Sequence, residues 1–133
     1  MAQPYKGERR AFIIGTDLAV RRRIHALATD SRLGVSQYVA NQLALHVGRP
    51  DLVEAPSARF RAKKFDPDVK TVTIRCHNDV GRAVAEQAAH AGYPAAATYV
   101  IDFVVSLAKN GSAAEVEPAG VEYAYQEELL TSA

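Results

Sequence analysis

The chain has 133 residues, 48% of them apolar, and a formal net charge of +1, about one domain's worth of sequence with enough apolar content for a core. No run approaches the roughly 20 consecutive apolar residues of a membrane span, and the opening MAQPYKGERR lacks the apolar run of a secretory signal. Cys76 is the single cysteine, which rules out an internal disulfide and fits a reducing, cytoplasmic setting.

In chain order, residues 1–8 read as a disordered lead. AFIIG, residues 11–15, is a short apolar run bounded by Arg9-Arg10 and by Thr16-Asp17; its length and β-branched content favour a strand. Thr16 or Asp17 is a candidate cap for the helix that follows. There Val20, Ile24, Leu27 and Ala28 keep helical spacing, with Arg21, Arg22 and Arg23 beside the stripe as a solvated face or phosphate contacts. Gly34 closes the next connection, and Ser36 is the expected cap of a second helix, SQYVANQLALHV. Gly48 and Pro50 then stop the helix.

Residues 49–69 hold Pro50, Pro56 and Pro67 and show no sustained periodicity, as expected of a linker. ARFRAKK forms a basic patch at its centre. In TVTIR, Thr71, Thr73 and Arg75 alternate with Val72 and Ile74, the period-two pattern of a strand with one buried face. Asn78 or Asp79 is the expected cap of the third helix, which Gly81 should weaken by about 1 kcal/mol relative to alanine. The fourth helix, ATYVIDFVVSLAKNG, is apolar nearly all round and so is expected to be buried on several sides. Residues 111–133 are an acidic tail with a possible apolar cluster at Tyr123, Tyr125, Leu129 and Leu130.

The small net charge hides a gradient. Residues 1–50 carry eight Lys/Arg against three Asp/Glu, residues 51–70 five against four, and residues 71–133 three against eight. A polyanionic partner is compatible with the basic first half and linker, but a solvated face gives the same pattern.

The two halves also repeat each other. Phe12 and Ile14 align with Val72 and Ile74, Val20 with Val80, Ile24 with Val84 and Ala28 with Ala88, each 60 positions on. After the turn the offset is 61, which aligns Tyr38-Val39 with Tyr99-Val100. Such periodicity marks a repeated structural unit. Each strand-helix-helix copy is too short to bury a stable core alone, so the two are expected to share one.

On these residues the chain resembles the ribbon-helix-helix family of DNA-binding proteins, the fold of the Arc and MetJ repressors. The AFIIG unit follows the family pattern through its strand and first helix. SQYV resembles the usual start of the second helix, and TVTIR with Gly92 at the turn carries the likeness in the second half. The matched segments cover about two-thirds of the chain, each by a short motif whose weight comes from the duplication.

The resemblance implies a mostly α fold with a two-stranded antiparallel ribbon, formed by two tandem ribbon-helix-helix units as an intramolecular pseudo-dimer, an arrangement similar to TraY-type accessory proteins of conjugative plasmids. Unit 1 would span 9–48, the linker 49–69, unit 2 70–110 and the tail 111–133. Tethering would make the pairing intramolecular, at an effective concentration of about millimolar.

In the family the ribbon enters the major groove. Carried over by position, the base-contacting residues are Ala11, Ile13 and Gly15 on the first strand, and Thr71, Thr73 and Arg75 on the second. Arginine suits guanine and threonine suits thymine, whereas Ala11 and Ile13 depart from the family's polar pattern and offer at most methyl contacts. The phosphate clamps at the second-helix amino ends fall on Gly34, Val35 and Ser36, and on Ala95, Ala96 and Ala97. Arg59, Arg61, Lys63 and Lys64 of the linker would add phosphate attraction.

Cys76-His77 and His90 show no recognisable zinc spacing or catalytic constellation, so no enzyme activity, metal or cofactor is expected. Tyr38 and Tyr99 are read as core or interface residues. The expected function is sequence-specific binding of double-stranded DNA by a prokaryotic repressor or architectural accessory factor, monomeric in solution or assembling further on DNA. The alternative is an antitoxin or protein-interaction module whose tail or apolar first strand binds a toxin, a relaxase or another protein.

Overall fold

The computed structural model describes residues 9–110; the expected lead and acidic tail lie outside them. The element order is β1 (Arg9–Gly15), α1 (Leu18–Asp30), α2 (Val35–His46), a short 3-10 turn (Pro50–Leu52), β2 (Thr71–His77), α3 (Asn78–His90) and α4 (Ala96–Asn110). The molecule is thus mostly helical with one two-stranded sheet, in which β1 and β2 pair antiparallel. The strands begin two residues before AFIIG and end two residues after TVTIR, because each extension finds a partner: Arg9 pairs with His77 and Arg10 with Cys76.

The register has a centre. Phe12 faces Ile74, Ile14 faces Val72, and Ile13 faces Thr73. Residues 60 apart in sequence therefore exchange places about the Ile13–Thr73 pair. Phe12, Ile14, Ile74 and Cys76 point into the core with Val72 half-buried beside them, while Ala11, Ile13, Gly15, Thr71 and Arg75 are exposed. A lone two-stranded sheet is marginal in water, and helices cover this one on its inner side. α2 packs on β2, α4 packs on β1, and α1 and α4 meet, as do α3 and α4.

Leu43, Ile74, Val84, Val100 and Leu107 are fully excluded from solvent. Burying an aliphatic side chain of this size contributes about 1.5–3 kcal/mol. α4 buries Tyr99, Val100, Phe103, Val104, Leu107 and Ala108, as its all-round apolar sequence implies. No described helix is long and apolar enough to cross a membrane.

Several caps differ from expectation. Asp17 does cap α1, its carboxylate accepting from the Val20 amide at 3.0 Å. Ser36 does not cap α2: that position belongs to Gly34, which makes no side-chain cap bond. Neither Asn78 nor Asp79 caps α3. The His77 ring does so, Nδ1 accepting from the Asp79 amide at 3.0 Å, because β2 runs into α3 with no intervening loop. Asp79 then lies in the first turn, where its carboxylate accepts from Arg82 at 3.1 Å and favours the positive helix end.

The linker is docked at a few points, and most of its residues are exposed. Asn41, a buried polar residue on α2, donates to the Glu54 carbonyl at 2.8 Å and accepts from the Glu54 amide at 3.0 Å. The Glu54 carboxylate pairs with Arg9. Further on, Phe65 packs edge-on against His25 at 5.5 Å, with the Arg22 guanidinium 4.7 Å from its ring centre. The arginine stripe of α1 is therefore mostly engaged. Arg21 Nη1 donates to the Val69 carbonyl at 3.3 Å and Arg23 Nε to the Ala108 carbonyl at 3.2 Å, near the negative end of α4.

Two predictions follow from this packing. A Cβ at Gly81 would stand 2.8 Å from Cβ and 2.7 Å from Cδ of Arg10, so the strand crosses the helix too closely for any side chain. Gly81→Ala, which in an open helix would stabilise by about 1 kcal/mol, should here lower stability in urea titrations by about 1–3 kcal/mol. In an Arg10→Gly background the same substitution should become neutral or stabilising.

The second prediction concerns His46, which links three helices. Its Nε2 lies 3.0 Å from the Tyr99 hydroxyl, which donates to Gln87 at 2.8 Å. Burial holds the imidazole below its ordinary 6.5, with a bond to Gln87 opposing. The unfolded chain then binds the proton first, so stability should fall as pH drops from about 6.5 through the lower folded value. His46→Gln should flatten this acid limb, read as urea midpoints at neutral pH and at pH near 5.

Candidate nucleic-acid interface

The six residues expected on the ribbon's outer face come together as three cross-strand pairs: Ala11 with Arg75, Ile13 with Thr73, and Gly15 with Thr71. Thr73 is half-buried and the other five are exposed. The face is chemically lopsided. β2 presents a guanidinium and two hydroxyls, whereas β1 presents a methyl, an isoleucine 66% exposed and a glycine. Sequence alternation indicated which residues share the face, and the register adds which stand opposite.

Arg10 alternates with Ala11 and so belongs to the face of β1 opposite these pairs. Its guanidinium carbon lies 5.4 Å from the Phe12 ring centre, while its aliphatic stem fills the space over Gly81. The early-helix glycine was the available sequence signal, since glycine in a helix marks a close approach of other atoms.

At the start of α2, Gly34, Val35 and Ser36 lie where the second-helix amino end was expected. The first amides of a helix have no intrahelical partners and carry the positive end of the dipole. Ser36 has a task that sequence did not reveal. Its hydroxyl accepts the Arg75 backbone amide at 3.2 Å, tying the helix start to the outer edge of β2. α4 begins at Ala96, between Ala95 and Ala97, and its alanines offer backbone donors but no hydroxyl.

Arg59, Arg61, Lys63 and Lys64 are all exposed. Lys63 and Lys64 also line a cavity beside α1 and the inner side of the ribbon. Cys76 is buried, and its thiol donates weakly to the Arg10 carbonyl at 3.7 Å. Burial pushes the thiol upward against the pull of Arg10 and Arg9, which makes it a poor nucleophile. Tyr38 and Tyr99 are 3% and 4% exposed, as expected of core residues, and burial raises both phenols.

Comparison with models of protein families, with curated proteins and with solved structures gave no match.

The Ser36 contact generates a test. An amide on the free edge of a two-stranded sheet ordinarily exchanges quickly, so protection of the Arg75 amide should depend on Ser36. Ser36→Ala should speed its hydrogen exchange and cost about 0.5–1.5 kcal/mol of stability, the net worth of one hydrogen bond. Exchange at the Ile74 amide, inside the ladder, should change only in step with global stability.

Proposed function

We propose that this chain binds double-stranded DNA sequence-specifically through the outer face of its β-ribbon, as a tandem ribbon-helix-helix pseudo-dimer acting as a repressor or architectural accessory factor. The observation that carries this reading is the outward cluster of Arg75, Thr73 and Thr71 on a narrow two-stranded ribbon. A major groove about 12 Å wide admits such a ribbon. The pseudo-dimer reading is supported by the register, whose centre at Ile13–Thr73 relates residues 60 apart. The helix starts at Gly34–Ser36 and Ala95–Ala97 are the candidate phosphate clamps. Arg59, Arg61, Lys63 and Lys64, all exposed, are the linker cations that would add attraction without sequence choice.

Because β1 offers only Ala11, Ile13 and Gly15, recognition in this reading is asymmetric. β2 reads bases and β1 spaces the ribbon or touches thymine methyls. A second reading is favoured by Ile13, a large apolar side chain at the middle of the exposed face: the ribbon docks a protein through β1.

Selection of bound DNA from a random pool separates the two. An enriched, non-palindromic site supports base reading, whereas retention with no enrichment and no steep salt dependence supports protein docking. On the selected site, Arg75→Ala should weaken binding by about 1–3 kcal/mol and relax the preference at one guanine. The melting temperature should barely move, because the Arg75 side chain points away from the core. An Arg75→Ala variant that binds its site as tightly as the wild type would overturn groove reading by this face.

A further inference from the structure

The cavity on the inner side of the ribbon has a volume of about 310 Å³, at the lower end for a small-molecule site. Its floor is aliphatic, made of Ile14, Ile24, Val39, Val72, Ile74 and Val104. Its rim is cationic, with Arg21, Lys63, Lys64 and Lys70 against the single carboxylate Asp66. Among the described residues none of these four cations belongs to an ion pair. Arg21 is the pointed case: its Nε is buried and has no hydrogen-bond partner, while its Nη1 reaches only the Val69 carbonyl at 3.3 Å. A buried donor without an acceptor is costly. An anion accepting from Arg21 would remove that cost.

The repeat shows what leaves room beside Val72. Residues 60 apart exchange places about the ribbon centre, so Val72 and Arg21 correspond to Phe12 and Gly81. On the second side the Phe12 ring and the Arg10 stem, lying over Gly81, take up the space. On the first side valine replaces phenylalanine, and the helix carries an arginine where its counterpart carries glycine. Phe65 of the linker, held by Arg22 and His25, forms part of the wall without filling the space.

We infer that this cavity is a binding site for a medium-chain aliphatic carboxylate, its chain on the Ile14–Val72–Ile74 floor and its carboxylate on Arg21 with the Lys63, Lys64 and Lys70 rim. The floor offers no hydrogen-bonding groups to a polar ligand, which selects an apolar chain. The arginine fork and surrounding cations select a carboxylate head. This site lies on the opposite side of the ribbon from the proposed base-reading face, and Val35 of the proposed phosphate clamp is part of its lining.

Calorimetric titration of the full chain with decanoate, below the concentration at which it forms micelles, tests the assignment. Saturable binding at one site per chain is expected, with decanol weaker by about tenfold because it lacks the charge. Arg21→Gln should weaken decanoate and leave decanol unchanged. Val72→Phe, which copies the bulk of Phe12, should abolish binding of both while circular dichroism stays that of the wild type. Non-saturating uptake, equal affinity for the acid and the alcohol, or a folded Val72→Phe variant that still binds decanoate would each overturn the site. Should Val72→Phe fail to fold, the Arg21→Gln comparison and the decanol arm still decide.

Discussion

The pairing of β1 with β2 is the contact on which everything else depends. Two strands more than fifty residues apart must find each other in one register, and among the described residues neither has another neighbour. The entropic cost of closing so long a loop rises slowly with length; covering the inner face is the harder requirement. Phe12, Ile14, Ile74 and Cys76 are excluded from water only because α2 lies on one strand and α4 on the other. Each half thus supplies a strand and a helix that covers the strand of the other half. Removing either half would leave an apolar strand face without cover.

The same constraint gives the linker its role. It must bring the chain from the end of α2 back to the start of β2, and it does so while docked. Asn41 holds both backbone polar groups of Glu54, and Arg9 holds its carboxylate. The corresponding position of the second half is Asp102, which accepts from the Tyr93 hydroxyl at 2.6 Å and helps push that phenol up to about 12. An amide side chain can donate and accept at once, so Asn41 can bind an extended backbone where a carboxylate could not. One repeated position has come to anchor the connection, while the other stabilises a turn inside its own half.

What the sequence made legible was what periodicity encodes. Alternation in TVTIR placed Thr71, Thr73 and Arg75 on one face, and the 60-residue repeat implied two strands with two pairs of helices sharing a core. What stayed hidden depended on contacts distant in sequence. Ser36 looked like a helix cap because serine at a helix start usually is one, yet its hydroxyl is taken by Arg75, 39 residues away. His77 became a cap only because strand and helix join without a loop. The arginine stripe looked solvated, since helical spacing cannot show that the linker and the end of α4 return to meet it. Residues 49–69 looked structureless because a docked segment held by side chains leaves no periodic trace.

Differences between the repeats bear most directly on function. Two identical units would give two equal strand faces and two equal interiors. Here one substitution pair, Ile13 against Thr73, makes the outer face apolar on one strand and polar on the other. Another, Phe12 against Val72, buries a ring on one side and leaves room for a cavity beside the smaller side chain on the other. A homodimer cannot separate such changes, because every substitution appears in both halves. A single chain can, and each half is then free to specialise at fixed backbone geometry. In the proposed pseudo-dimer the cavity floor and the outer face are opposite sides of the same strands: Ile14 and Val72 below, Ile13 and Thr73 above. Side chains alternate along a strand, so whatever shifts the backbone from the cavity side must also shift the face that presents Arg75.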